Sequence, residues 1–331
     1  MATLSTLNPT LADFAARMGN DGRIDPMIVE MLNETNEVLD DMTVIEANGY
    51  TEHKTTVRSG LPTGTWRKLN YGVQPEKSRT VQVKDSMGML ETYAEVDKAL
   101  ADLNGNSAAW RASEDRAFIE GLNQNMATTL FYGDSSLDPE KFMGLAPRYN
   151  SLAAENAMNI VDAGGTGSDN ASIWLVVWGP NTCHSIYPKG SSAGLQARDL
   201  GEDTLLDAAG GRYQGYRTHY KWDIGFTLRD WRYVVRVANI DVSDLTKNAA
   251  SGADLIDLMT QALELVPNLS MGRATFYAPR KLRSFLRRQI ANKVAASTLT
   301  METVAGKKVV TFDGVPVRRT DALLLTEARV V

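Results

Sequence analysis

Apolar residues along this chain follow helical spacing in some stretches and strand spacing in others. Leu11, Phe14, Ala15 and Met18 recur at helical intervals behind Asn8-Pro9, an N-cap with proline in the first turn, and stop at Gly19. Asp25-Pro26 repeats the device, and Met27, Ile28, Met31, Leu32, Val38 and Leu39 line one face of a second helix. Beyond residue 53 the pattern shortens to strands. Thr55-Thr56-Val57, Thr65 to Asn70 and Arg79 to Val83 read as polar β segments, separated by Gly60-Leu61-Pro62-Thr63-Gly64 and by a turn near Pro75. Few of these positions can fill a core, so the ribbon is expected to project and to be held by contacts outside its own fold.

A strand-like run at Met87 to Val96 and a short helix ending at Gly105 come next. Asn106 or Ser107 can cap a helix reaching about Tyr132, with Trp110, Phe118, Leu122, Met126 and Leu130 as its buried stripe. Some 25 residues at about 1.5 Å each give a strut about 38 Å long. Leu137 to Asn170 is loop-rich. Ile173 to Trp178, Arg212 to His219, Ile224 to Leu228 and Arg232 to Ile240 carry the aromatic and β-branched residues of a sheet. The remainder alternates: a helix at Ala253 to Val266, a strand at Arg273 to Tyr277, a basic helix at Arg280 to Lys293, and strands at Val309 to Phe312 and Val315 to Arg318. This is α/β layering.

With 331 residues, 43% apolar and 23% charged, the chain is neither disordered nor fibrous and holds roughly two domains. Its longest apolar runs, Trp174 to Trp178 and Ala322 to Leu325, span about five residues against the roughly twenty of a membrane helix. The first twenty residues lack the basic and apolar regions of a signal peptide, which predicts an intracellular origin.

The net charge of −5 hides strong polarity. Residues 1–52 carry ten carboxylates against Arg17 and Arg23, whereas residues 53–84 carry seven Lys and Arg against Glu76. Adjacent blocks of opposite sign can be solvated surface, can pair within the chain, or can steer the arm of one subunit onto the loop of another. For the last case the candidate residues are Glu30, Glu34, Glu37, Asp40 and Asp41 on the arm, and Trp66, Arg67, Lys68 and Tyr71 on the ribbon. The basic helix, with Arg280, Lys281, Arg283, Arg287 and Arg288, either faces nucleic acid or is the solvated outer face of a helix seated by Leu282, Phe285, Leu286 and Ile290.

Candidate chemistry is thin. A single cysteine, Cys183, excludes an intrachain disulfide and a thiolate metal cluster. Cys183 and His184, as neighbours on a strand, point to opposite faces and make a poor nucleophile and base. His53 and His219 show no metal-ligand spacing. Gly164 to Gly167 lacks the strand-to-helix context of a nucleotide loop, and Lys189-Gly190-Ser191 lacks the upstream glycine of a phosphate loop. No catalytic residue, cofactor or metal is assigned.

The order of acidic arm, ribbon, strut helix and closing α/β unit resembles a tailed-bacteriophage major capsid protein. Gly60-Leu61-Pro62-Thr63-Gly64-Thr65-Trp66-Arg67-Lys68-Leu69-Asn70-Tyr71-Gly72 is similar to the extended-loop segment of that family, and residues 312–322 to its closing strand. Leu255 to Asn268 followed by Arg273 to Lys293 is similar to helix, strand and second helix of its axial domain. The resemblance implies an α+β, Hong Kong 97-like capsid fold, with an element order that can depart from the standard one. It implies an acidic helical arm at 1–52, an extended β loop at 53–85, a peripheral domain at 86–245 with its spine helix at about 107–132 and sheet block at 173–240, and an axial-type α/β domain with closing strands at 246–331.

It also implies a non-enzymatic shell protein, built in the bacterial host cytoplasm into pentamers and hexamers around double-stranded DNA, with no membrane partner. A separate scaffolding protein, a portal and a decoration or cement protein are the implied partners. Some relatives weld subunits through a lysine and an asparagine, for which Lys68 or Lys77 could serve here; no partner asparagine is identifiable, and noncovalent locking is the common case. An encapsulin-like cargo shell and an enzyme of unrecognised class remain the alternatives.

Overall fold

The computed structural model describes residues 34–103, 107–207, 209–246, 252–292, 299–304 and 307–331. The helices expected before Glu34, and Glu30 with them, lie outside the described residues. The chain enters through α1 (Val38–Asp41), one turn that ends where Met42 becomes extended, and β1 (Val44–Glu46).

Next, β2 (Glu52–Gly60) and β3 (Arg79–Asp97) form an antiparallel hairpin with His53 opposite Asp85 and Gly60 opposite Arg79. Two separately expected strands are one 19-residue strand here, because β3 changes partners along its length. Its first half pairs with β2, and from Met87 onward it pairs with β8 (Arg212–Leu228). The strand expected at Thr65 to Asn70 is absent: residues 61–78 form no strand. Pro62 and Pro75 remove backbone donors, and Gly64 and Asn70 sit at φ of 68° and 66°, which interrupts any extended run.

After α2 (Lys98–Ala101), capped by the Asp97 carboxylate, helix α3 (Ser107–Tyr132) runs for 26 residues. Leu122, Met126 and Leu130 are buried on it, and half-buried Phe118 stacks with Tyr220. The helix stops at Gly133, where a Cβ would come within 2.6 Å of the Thr129 and Phe142 carbonyl oxygens, so the chain turns tightly only with glycine.

The other strands are β4 (Ile160–Asp162), β5 (Asn170–Trp178), β6 (Cys183–Tyr187), β7 (Gln196–Leu206), β9 (Val234–Asp241), β10 (Arg273–Ala278), β11 (Leu299–Val304), β12 (Lys307–Phe312) and β13 (Val315–Arg319). Among the described residues, all thirteen strands join one sheet whose main path is β11-β12-β13-β10-β5-β6-β8-β3-β2. Every residue of β5 is buried, in keeping with its near-continuous apolar run and its pairing with both β9 and β10.

Helices α4 (Leu255–Leu265) and α5 (Arg280–Asn292) close one side. Gln289 on α5 joins them: it accepts from the Leu255 N–H at 3.0 Å and donates to the Ala253 carbonyl at 3.0 Å. One core gathers Ile173, Val235, Leu258, Phe276, Leu282 and Val317. A second gathers Met126, Phe131, Trp174, Trp178, Phe226 and Tyr277. Strand pairing and the first core both run continuously across position 245.

Candidate assembly surfaces

The loop at residues 61–78 leaves its apolar side chains uncovered. Trp66 is fully exposed, Leu69 is 86% exposed, and Leu61 and Tyr71 are at least 70% exposed. Arg67 and Lys68 are exposed beside them. The two limbs of the loop are held together because the Thr63 and Gly64 N–H groups donate to Glu76 Oε2 at 2.8 and 3.1 Å. A lone tryptophan in water loses about 2 kcal/mol or more relative to a buried one, and the described residues supply this loop with no such burial.

The acidic segment behaves differently from the expectation of a charged face offered to another subunit. Asp41 is buried, ion-paired to Arg273 and Arg318, and accepts a hydrogen bond from the Tyr277 hydroxyl at 3.2 Å. Burial pushes its carboxyl above the ordinary range despite both arginines. Glu37 is half-buried and meets Arg318 at 3.4 Å. Asp41 and Glu37 therefore bind their own chain, because the arm is laid along β13: the Thr35 N–H donates to Asp321 Oδ2 at 2.8 Å and the Glu37 N–H to the Arg319 carbonyl at 3.4 Å. Glu34 and Asp40 are exposed. None of these carboxylates is paired with Arg67 or Lys68.

Helix α5 presents Arg280, Lys281, Arg287 and Arg288 to solvent and keeps Arg283 half-buried, while Leu282 and Leu286 are fully buried. Arg280, Arg283, Ser284, Arg287, Arg288 and Arg319 line an open groove of about 440 Å³. Arg280 is held by Asp321 through two hydrogen bonds of 2.7 and 2.5 Å. Arg319 was not singled out from the sequence. The signal was the Arg318-Arg319 pair at the end of an otherwise apolar closing strand.

Among the described residues, the histidines and the cysteine singled out from the sequence are placed as follows. His184 is buried, its pKa lowered to about 4 by burial and by Arg229. Burial raises the Cys183 thiol, which points at the Val177 carbonyl. His219 meets Glu91 at 3.1 Å on the face of the β3–β8 pair and stacks on Tyr93. Among the described residues, no cluster of three His, Cys, Asp or Glu could hold a metal ion, and no helix is long and apolar enough to cross a membrane.

A projecting apolar loop, an arm laid along the closing strand and a long helix on one continuous sheet describe a subunit. The sequence matches the family described as Major capsid protein GP7 over residues 4–331. The chain belongs to this major capsid protein family. The capsid protein is 39% identical to the chain in the near-atomic structure of bacteriophage Epsilon15, with 100% of this chain and 99% of that one covered and a TM-score of 0.79. The fold is accordingly α+β and Hong Kong 97-like. The bacteriophage JBD30 capsid matches at 10% identity over 96% and 99% of the two chains, TM-score 0.49. The SrpI encapsulin complex of Synechococcus elongatus matches at 10% identity over 69% and 95%, TM-score 0.44. No curated protein matches the chain.

Proposed function

We propose that this capsid protein forms the icosahedral shell of a bacteriophage by seating its exposed loop on neighbouring copies, and that the finished shell encloses double-stranded DNA. The carrying observation is the loop at 61–78, whose Trp66, Leu69 and Tyr71 find no cover among the described residues. In this reading residues 53–85 are the extended loop and helix α3 is the spine of the peripheral domain. Pentamers and hexamers are the building units, assembled in the host cytoplasm with a separate scaffolding protein, a portal and a decoration or cement protein. The work of the protein is association, not catalysis. The 39% identity to the Epsilon15 chain favours a phage shell over a cargo compartment.

Sedimentation and electron microscopy of purified protein under assembly conditions test the reading. Capsomers and closed shells are expected; small stable species alone would refute it. Particles produced in the host are expected to be DNA-filled with one tail vertex, and uniform shells around a cargo protein would replace this reading with the encapsulin-like one.

A further inference from the structure

The groove between α5 and the end of β13 carries more positive charge than the described residues neutralise. Asp321 satisfies Arg280, and Glu37 and Asp41 are engaged by Arg318, which leaves Arg283, Arg287, Arg288 and Arg319 around the same space without a carboxylate in the lining. The Nε atoms of Arg283 and Arg319 are buried and have no hydrogen-bond partner. Burial first, and then Arg287, Arg319 and Arg318, lower the Arg283 pKa, with Glu37 the opposing charge. The Arg288 guanidinium rests over the Phe285 ring at 5.1 Å, which holds it at the groove edge.

We propose that this groove is a phosphodiester-binding site that seats the backbone of a DNA duplex. The proposal rests on the reading of a DNA-enclosing shell and assigns the contact to named residues. From Arg280 to Arg287 the helix rises about 10.5 Å, close to the axial rise of three nucleotides on one strand at about 3.4 Å each. Arg280, Arg283 and Arg287 recur at i, i+3 and i+7 along the helix, a row of cations that suits successive phosphates better than a single free phosphate. Each guanidinium can hold a phosphate through two parallel N–H donors, and the contacts carry no base sequence. Ser284, exposed in the groove lining, adds a hydroxyl donor.

The test uses the full-length protein as purified capsomers and a short labelled duplex of mixed sequence, titrated between about 50 and 200 mM salt. The double variant R287E/R288E changes two exposed arginines with no ion-pair partner among the described residues, and R198E/R212E makes the same charge change on the distant β7–β8 hairpin. The groove variant is expected to bind the duplex at least about tenfold more weakly and to lower the salt slope by about 2, while the control stays within about threefold of wild type. Equal weakening by both variants, or none by either, overturns the proposal. Inorganic tripolyphosphate is expected not to displace the duplex at equal phosphate concentration; full displacement would make this a small-anion site and overturn it. Shells of the groove variant are expected to form normally. Lost shells with unchanged duplex affinity would mean that the groove takes an acidic protein segment, which overturns the proposal and leaves the shell reading standing. Failure of the wild-type protein to form shells while duplex binding still depends on Arg287 and Arg288 would sink the shell reading alone.

Discussion

Arg236 on β9 lies 2.8 Å from Glu327, in the C-terminal segment, with both side chains about 5% exposed or less. The guanidinium also donates to Ser172 Oγ at 3.0 Å and to the Tyr149 carbonyl at 2.7 Å, and it sits over the Trp174 ring. Glu327 accepts from the Tyr132 and Ser172 hydroxyls, so one buried ion pair ties β5, β9, the end of α3 and the chain terminus together. Removing one partner strands the other charge in the core. Glu327→Ala is therefore expected to lose about 3–5 kcal/mol, whereas replacing both residues by apolar side chains of similar volume costs far less. Urea unfolding followed by tryptophan fluorescence measures both, and a single variant as stable as wild type would reject the latch.

His53 and His184 meet edge to face with ring centroids 6.0 Å apart at the root of the hairpin that carries the loop. His53 faces Asp85 across the β2–β3 register, and Arg148, Arg229 and Thr227 complete the surroundings. Burial lowers both imidazoles, His184 to about 4. Because the unfolded histidine takes its proton near 6.5 and the folded one only near 4, the unfolded state binds more protons between these values. Stability is thus full above about pH 6.5 and declines as pH falls toward 4, by about 2 kcal/mol for His184 after allowance for its partial solvation. Unfolding free energies measured from pH 7 to 4 should show this slope in wild type and a shallower one in His184→Gln. Identical slopes would reject the assignment.

Elements whose signal is local were legible in the sequence. The stripe of Leu122, Met126 and Leu130, the apolar run of β5, and Leu282 with Leu286 on the basic helix each declare their own burial. Features that depend on a distant partner were not. Gln196 to Leu206 is a mostly exposed, polar strand that exists because β8 runs beside it, and nothing in its own alternation announces it. Residues 79–97 looked like two strands because each half serves a different neighbour. Thr65 to Asn70 has the composition of a strand but no strand partner among the described residues. On the candidate surfaces, exposure of Trp66 and Arg287 followed from local polarity. The capture of Asp41 by Arg273 and Arg318 joins residues more than 200 positions apart, which charge counts along the chain cannot reveal.

That capture sets a third prediction. Asp41→Ala would leave Arg318, Arg273 and the Tyr277 hydroxyl competing for solvent at a buried site, and Trp178 Nε1, which donates to that hydroxyl at 2.8 Å, would share the disturbance. A loss of about 3 kcal/mol is expected. Arg273 is half exposed and contributes little of this. The effect should appear in the unassembled subunit by chemical denaturation. If Asp41→Ala instead left subunit stability intact and abolished only assembly, Asp41 would belong to a contact between subunits after all.

The loop should show the opposite split. Trp66 makes no contact that its exposure would lose, so Trp66→Ala should change subunit unfolding by no more than about 0.5 kcal/mol. A tryptophan that becomes buried between subunits is commonly worth about 2 kcal/mol or more, which raises the protein concentration needed for shell formation roughly thirtyfold per contact. Light scattering across a concentration series reads that threshold directly. Reversing Arg67 and Lys68 to glutamate should also raise the threshold and leave the melting temperature unchanged, with an effect that shrinks at high salt because exposed charges are screened over about 8 Å at physiological ionic strength. Unaltered assembly in Trp66→Ala would remove the loop from the contact. A lowered melting temperature would show that the loop supports its own subunit, and the fully exposed indole ring argues against that outcome.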